Sequence, residues 1–213
     1  MRTTTLIGLG LGGTTALAGT GVAINHFYGG ESIRAYIDRT KTSKNKVFLV
    51  AGRSDLNEIK IKYHESKDSN RVKPKDDKGS SVDKEKLVQW CADNANTKFS
   101  SVEDETYKAI LSWCFLNSKT ISEEMASESR QIYSNQGAAE EEWKIAWNNY
   151  NTKKNILKLS ITGDDLTDLN GTNDVAGGKA LHKWCDEKNK DKKKLYEDGV
   201  EATYALFRQW CTK

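Results

Sequence analysis

Apolar residues recur along this chain at helical spacing. Ile33 and Ile37 stand four apart in polar surroundings, as do Ile121 and Met125. Trp143, Ala146, Trp147 and Tyr150 share one helical face. Tyr107, Ile110 and Cys114 are spaced i, i+3, i+7, and so are Tyr204, Phe207 and Cys211, which makes each trio a core-facing stripe. These patterns predict helices over 32–39, 55–63, 82–92, 102–116, 120–129, 140–150, 179–186 and 199–213. Segment 55–63 is ambiguous alone, because Ile59, Ile61 and Tyr63 alternate like a strand while Leu56, Ile59 and Tyr63 follow a helix. Asp55 with Glu58 supplies a capping box that favours the helix. Residues 47–50 and 132–133 read as short extended segments, and the polar stretches 66–81 and 163–178 read as loops. The expected fold is mainly α.

The pattern repeats. Thr106-Tyr107, Ile110 and Trp113-Cys114 return as Thr203-Tyr204, Phe207 and Trp210-Cys211. Leu87 with Trp90-Cys91 returns as Leu181 with Trp184-Cys185. Upstream, Leu56, Ile59 and Tyr63 lie 87 positions before Trp143, Ala146 and Tyr150, and Ile33 and Ile37 lie 88 before Ile121 and Met125. The offset grows to 94 at the first Trp-Cys and 97 at the second, so the added residues fall between matched segments, in loops that tolerate insertion. The chain therefore divides into a segment 1–30 and two similar helical modules in tandem, 31–118 and 119–213. The Trp-Cys residues and the paired Tyr107 and Tyr204 are structural candidates, positions of a scaffold rather than of a reaction.

No Asp, Glu, Lys or Arg occurs between Thr3 and Gly30. An apolar run of that length can cross a bilayer, for which about 20 residues suffice, so contact with a membrane through residues 5–28 is expected. Gly8 and Gly12 form a small-xxx-small pair of the kind that lets helices approach in lipid. A cleaved signal peptide is the alternative, with Arg2 at its start and Ala16-Leu17-Ala18 as the cleavage motif. Gly8, Gly10 and Gly13 match a dinucleotide spacing, yet too little chain precedes them to form the strand that motif needs. Arg34, Arg39, Lys41, Lys44 and Lys46 after the segment favour a cytoplasmic C-terminal part. The matched cysteines weigh the other way, and a single-pass protein with most of its chain outside the cytoplasm is expected.

The sequence admits three readings of Cys91, Cys114, Cys185 and Cys211. They are bridges within each copy, Cys91 to Cys114 and Cys185 to Cys211, four buried thiols, or a metal site. The last fits worst, because no C-x2-C occurs and His26, His64 and His182 are scattered. With 33 basic against 30 acidic residues, no strong field argues for nucleic acid. Lysine makes up nearly all the basic side, and Pro74 is the single proline.

Candidate chemistry is thin. Asp168, Asn170 and Gly171 resemble part of a calcium loop, but its first position would be Leu166 and its twelfth Gly177. Gly177-Gly178-Lys179-Ala180 lacks the hydroxyl residue of a phosphate loop. Lys188, Lys190 and Lys192 to Lys194 form a basic cluster read as a solvated loop, with an anionic surface as the sharper alternative. Asn170-Gly171-Thr172 fits a glycosylation sequon. No nucleophile stands with a base and an orienting partner, and no cofactor is implied, so an enzyme is not expected.

The apolar Gly/Ala-rich start, the lysine-rich helices and the repeated Leu-x-x-Trp-Cys and Tyr-x-x-(apolar)-x-x-Trp-Cys endings resemble large paralogous families of uncharacterised proteins in haemotropic mycoplasmas. Residues 87–91, 107–114, 182–185 and 204–211 carry the resemblance. It implies a membrane-associated, surface-displayed protein that takes part in antigenic variation or contacts a protein partner on a host cell. It supplies no catalytic residues. The alternatives are an enzyme or small-ligand binder with a site between the modules, for which His182, Asp186 and Glu187 are the polar candidates, and a scaffold on the cytoplasmic face.

Overall fold

Ser32 and Thr120 begin helices in the same way. Each is extended and turns its hydroxyl oxygen to a backbone N–H of the first turn, Ala35 for Ser32 and Glu123 for Thr120. In the computed structural model, which describes residues 30–133, 140–163 and 166–213, residues 31–213 form one compact unit. Its elements run α1 (Ile33–Thr40), β1 (Val47–Phe48), α2 (Leu56–Glu65), a 3-10 turn (Lys84–Lys86), α3 (Leu87–Ala95), α4 (Glu105–Trp113), β2 (Phe115–Leu116), α5 (Ile121–Ser127), α6 (Glu140–Lys153), α7 (Asp174–Lys190) and α8 (Val200–Trp210). The fold is mainly helical. β1 and β2 pair antiparallel, with Val47 opposite Leu116. The apolar segment expected as a membrane anchor, its glycines and His26 lie outside the described residues. Among the described residues, no helix is long and apolar enough to cross a membrane.

Two buried clusters organise the unit. The first gathers Ile37, Leu49, Ile59, Leu87, Ile110 and Trp113 around the Cys91–Cys114 bridge. The second gathers Met125, Trp147, Tyr150, Leu181, Phe207 and Trp210 around Cys185–Cys211. Bridged Cα atoms lie 5.5 and 5.7 Å apart, inside the limit of about 7 Å for a disulfide. All four cysteines are thus paired within their own halves. Closing a loop of 23 or 26 residues contributes about 3 kcal/mol by restricting the unfolded chain, a large share for small cores.

Matching detail goes beyond the sequence pattern. Tyr63 meets Trp113 edge to face at 4.9 Å, and Tyr150 meets Trp210 the same way at 5.3 Å. The Leu49 N–H donates to the Cys114 carbonyl at 2.7 Å, as the Tyr133 N–H does to the Cys211 carbonyl at 3.0 Å. Lys41 and Ser129, each just past the first helix of its half, both have φ of 54°.

Several expected boundaries are corrected. The Asp55–Glu58 capping box does not form: the Asp55 carboxylate is taken by the Arg53 guanidinium at 2.8 Å, and a capping box appears instead at a different helix, between Thr120 and Glu123 at the start of α5. The helix expected from residue 82 starts at Leu87, since the Val82 N–H donates to the Pro74 carbonyl, its own carbonyl accepts from the Tyr63 hydroxyl, and Asp83 caps a 3-10 turn instead. The helix expected from residue 102 starts at Glu105, where Asp104 accepts from the N–H groups of Thr106 and Tyr107. The largest miss is at 163–178, expected as a loop throughout. Asn173 caps α7, so Asp174 to Gly178 are its first turns and the glycines face α6.

Candidate functional site

Residues 191–199, between α7 and α8, carry the second half onto the first. Tyr196 is buried in the first cluster, not the second. The neighbouring Asp198 carboxylate accepts from the Ser66 hydroxyl at 2.6 Å and from the Lys67 and Asp68 N–H groups at 2.9 and 3.3 Å. Glu197 pairs with Lys62 at 2.8 Å. Arg71 closes the joint: its guanidinium lies 3.4 Å over the Trp113 ring and donates to the carbonyls of Ser112 in one half and Tyr196 in the other. Only 16% of that side chain is exposed, and burial pushes its pKa down to about 10 against the pull of Asp198. Stacking and two carbonyl bonds need a planar fork, which lysine lacks.

A cleft of about 620 Å³ opens beside this joint. Leu111, Phe115 and Leu116 line it from the first half, and Leu195, Ala202 and Tyr204 from the second. Charged groups stand around that apolar lining in pairs. Glu124, 2% exposed, accepts from Asn45 at 2.5 Å and from Lys119 at 3.2 Å. Glu128 receives Arg208 at 3.0 Å and Arg130 at 3.3 Å. Burial alone would raise the Glu128 pKa, but hydrogen bonds from Arg208 and Tyr204 and the two guanidinium charges hold it below the usual range. Burial, followed by Glu128, pushes the Tyr204 hydroxyl up, so it stays protonated and donates. The volume lies in the range of small-ligand sites, and the committed charges make the cleft suited to binding rather than proton transfer.

The sequence candidates fall elsewhere, with one exception. Trp113 and Trp210 are fully buried, while Trp90 and Trp184 are half-buried; the Trp90 indole donates to the Lys75 carbonyl at 3.0 Å. Tyr107 is buried as its stripe requires. Tyr204 departs from the stripe and faces the cleft beside Glu128. His182 stacks on Trp143 at 4.8 Å, Asp186 pairs with Lys190 at 2.6 Å, and neither they nor Glu187 line the space between the halves. Among the described residues, no group of His, Cys, Asp and Glu could hold a metal ion. Gly177 and Gly178 lie inside α7 against Trp147 and Trp143, a packing position rather than a phosphate cradle. Sequence reasoning missed Arg71, Tyr196, Asp198 and Glu124. Their signal was departure from the repeat, since nothing in the duplicated pattern required them. Comparison with protein-family models, curated proteins and solved structures gives no match for this chain.

Proposed function

We propose that this protein is a membrane-anchored, surface-displayed interaction module, of the kind its resemblance to the haemotropic mycoplasma families implies. In this reading residues 5–28 hold it to the membrane, two copies of one helical module project outward, and the loops meet a protein partner. The observation that carries it is the pair of buried disulfides, one in each core. Such bridges persist in oxidising surroundings and are rare in reducing ones, which weighs against a scaffold on the cytoplasmic face. Protease treatment of intact cells is the test. Loss of residues 31–213 is expected; their full protection behind an intact membrane would sink the reading.

The cleft favours a second function on the same scaffold, the capture of a small ligand with an apolar body and polar ends. Such ligands are expected to raise the melting temperature of the wild type and to lose that effect in Leu111→Arg, which fills the cleft from its apolar side. Ligands that stabilise both forms equally bind elsewhere.

A further inference from the structure

Seven large apolar side chains are exposed among the described residues, and four of them lie on two surfaces that mirror the joint inside the molecule. The receiving side of that joint is the outer face of α2 and the turn after it. Lys62, Ser66, the N–H groups of Lys67 and Asp68, and Arg71 contact the second half there. The entering side is the segment 195–198.

The duplication supplies each side once more. α6 is the counterpart of α2, and the offset of 87 puts Ile145 where Glu58 stands. Ile145 is 62% exposed, and Ile156 and Leu157, in the turn that ends α6, are 76% and 43% exposed. Segment 99–103 is the counterpart of 195–199 and is held in the same way. The Phe99 N–H donates to the Glu31 carbonyl at 2.9 Å, as the Leu195 N–H does to the Lys119 carbonyl at 2.9 Å. It carries Val102, 47% exposed.

Charge runs in the same direction at both places. In the internal joint, acidic Glu197 and Asp198 enter against basic Lys62 and Arg71. On the unused surfaces, exposed Glu103 ends the entering segment and exposed Glu105 follows it, two carboxylates that share the single Lys108 ammonium and so leave net negative charge, and exposed Lys153 and Lys158 flank the receiving face. Apolar Val102 suits apolar Ile145 and Ile156 as the charged residues of the internal joint suit each other.

The geometry points to head-to-tail self-association, in which segment 99–103 of one copy of this chain docks on the α6 face of the next. The contact repeats between molecules the joint that holds the two halves together, and it rests on the reading of the chain as a duplication. Ser100 stands where Tyr196 anchors the internal joint, so the contact between molecules is the weaker of the two and reversible. A head-to-tail contact does not close on itself at two copies, so assemblies lengthen with concentration.

Sedimentation of the full chain in detergent micelles, over a wide concentration series, tests this. The wild type is expected to grow beyond two copies. Ile145→Glu and Val102→Glu should each raise the concentration needed about tenfold or more. Ile145→Glu keeps the entering segment and Val102→Glu keeps the receiving face, so a mixture of the two should form pairs and nothing longer. Both positions are exposed, so the variants fold, which unchanged circular dichroism would verify. Glu103→Lys should weaken growth, and Lys153→Glu in the same chain should restore it. A constant sedimentation coefficient overturns the proposal, as does association that none of these changes weakens. Neither outcome alters the protease result on whole cells.

Discussion

Gly177 has no side chain, and that sets how closely α6 and α7 approach. A Cβ placed there would lie 2.2 Å from Cε2 of Trp147. The indole cannot turn aside freely, because its N–H donates to the Leu169 carbonyl at 2.7 Å in a buried bond. Two effects of opposite sign meet in Gly177→Ala. Helix propensity favours alanine by about 1 kcal/mol. Overpacking costs about 1–3 kcal/mol, and a lost buried hydrogen bond costs about as much again. The clash wins: the variant is expected to be less stable by about 2 kcal/mol, measured by denaturant unfolding, and a gain in stability would show that the helices can separate at little cost. The same residue explains why a glycine-rich stretch expected as a loop is helix. Composition alone cannot tell glycines chosen for φ freedom from glycines chosen for close approach.

At the scale of elements, the chain announced its helices better than their ends. The stripes of Tyr107, Ile110 and Cys114 and of Trp143, Ala146, Trp147 and Tyr150 lie on α4, with Cys114 at its C-cap, and on α6 as their spacing requires, because burial of one face dominates helix stability in a folded protein. Ends depend on single polar contacts with more than one solution. Asp55 had a Glu three residues on and an Arg two residues back, and the arginine took it. Asn173 was hidden within a stretch dominated by the turn formers Gly, Asp and Asn, yet its side chain caps α7 through the N–H groups of Val175 and Ala176. Of the candidate site almost nothing was legible. Both walls of the cleft come from residues far apart in sequence, and a tyrosine one leucine beyond a run of charged residues gives no sign that it will fill the core of the other cluster. The cysteine pairing was one of three open readings because spacing does not fix distance; α3 and α4, and α7 and α8, bring the partners together.

At the scale of the whole molecule, the two halves are joined through carboxylates, and this gives the unit a dependence on acid. The Asp198 carboxyl is held below its usual range: burial opposes this, but the Ser66 hydroxyl, the Lys67 N–H and the Arg71 charge outweigh it. Glu128 is lowered at the cleft, and Asp55 is lowered to about 2 by its hydrogen bond from Arg53, whose guanidinium also reaches Ser118 of the chain between the halves. A carboxyl whose folded pKa lies below its unfolded value adds stability that is complete above the unfolded value, about 4, and is lost as pH falls through the folded one. The melting temperature is therefore expected to be level from neutral pH down to about 5 and to fall below about 4 as these groups take up protons. Asp198→Asn separates the joint from the rest. The amide cannot oppose the Arg71 charge and retains fewer acceptor sites for Ser66, Lys67 and Asp68, so the variant should melt lower than the wild type at neutral pH and lose less on acidification. The two melting curves against pH should converge at the acid end. If they run parallel instead, Asp198 carries no protonation-linked stability, and the acid sensitivity of the molecule lies with its other lowered carboxylates, Asp55 and Glu128 among them.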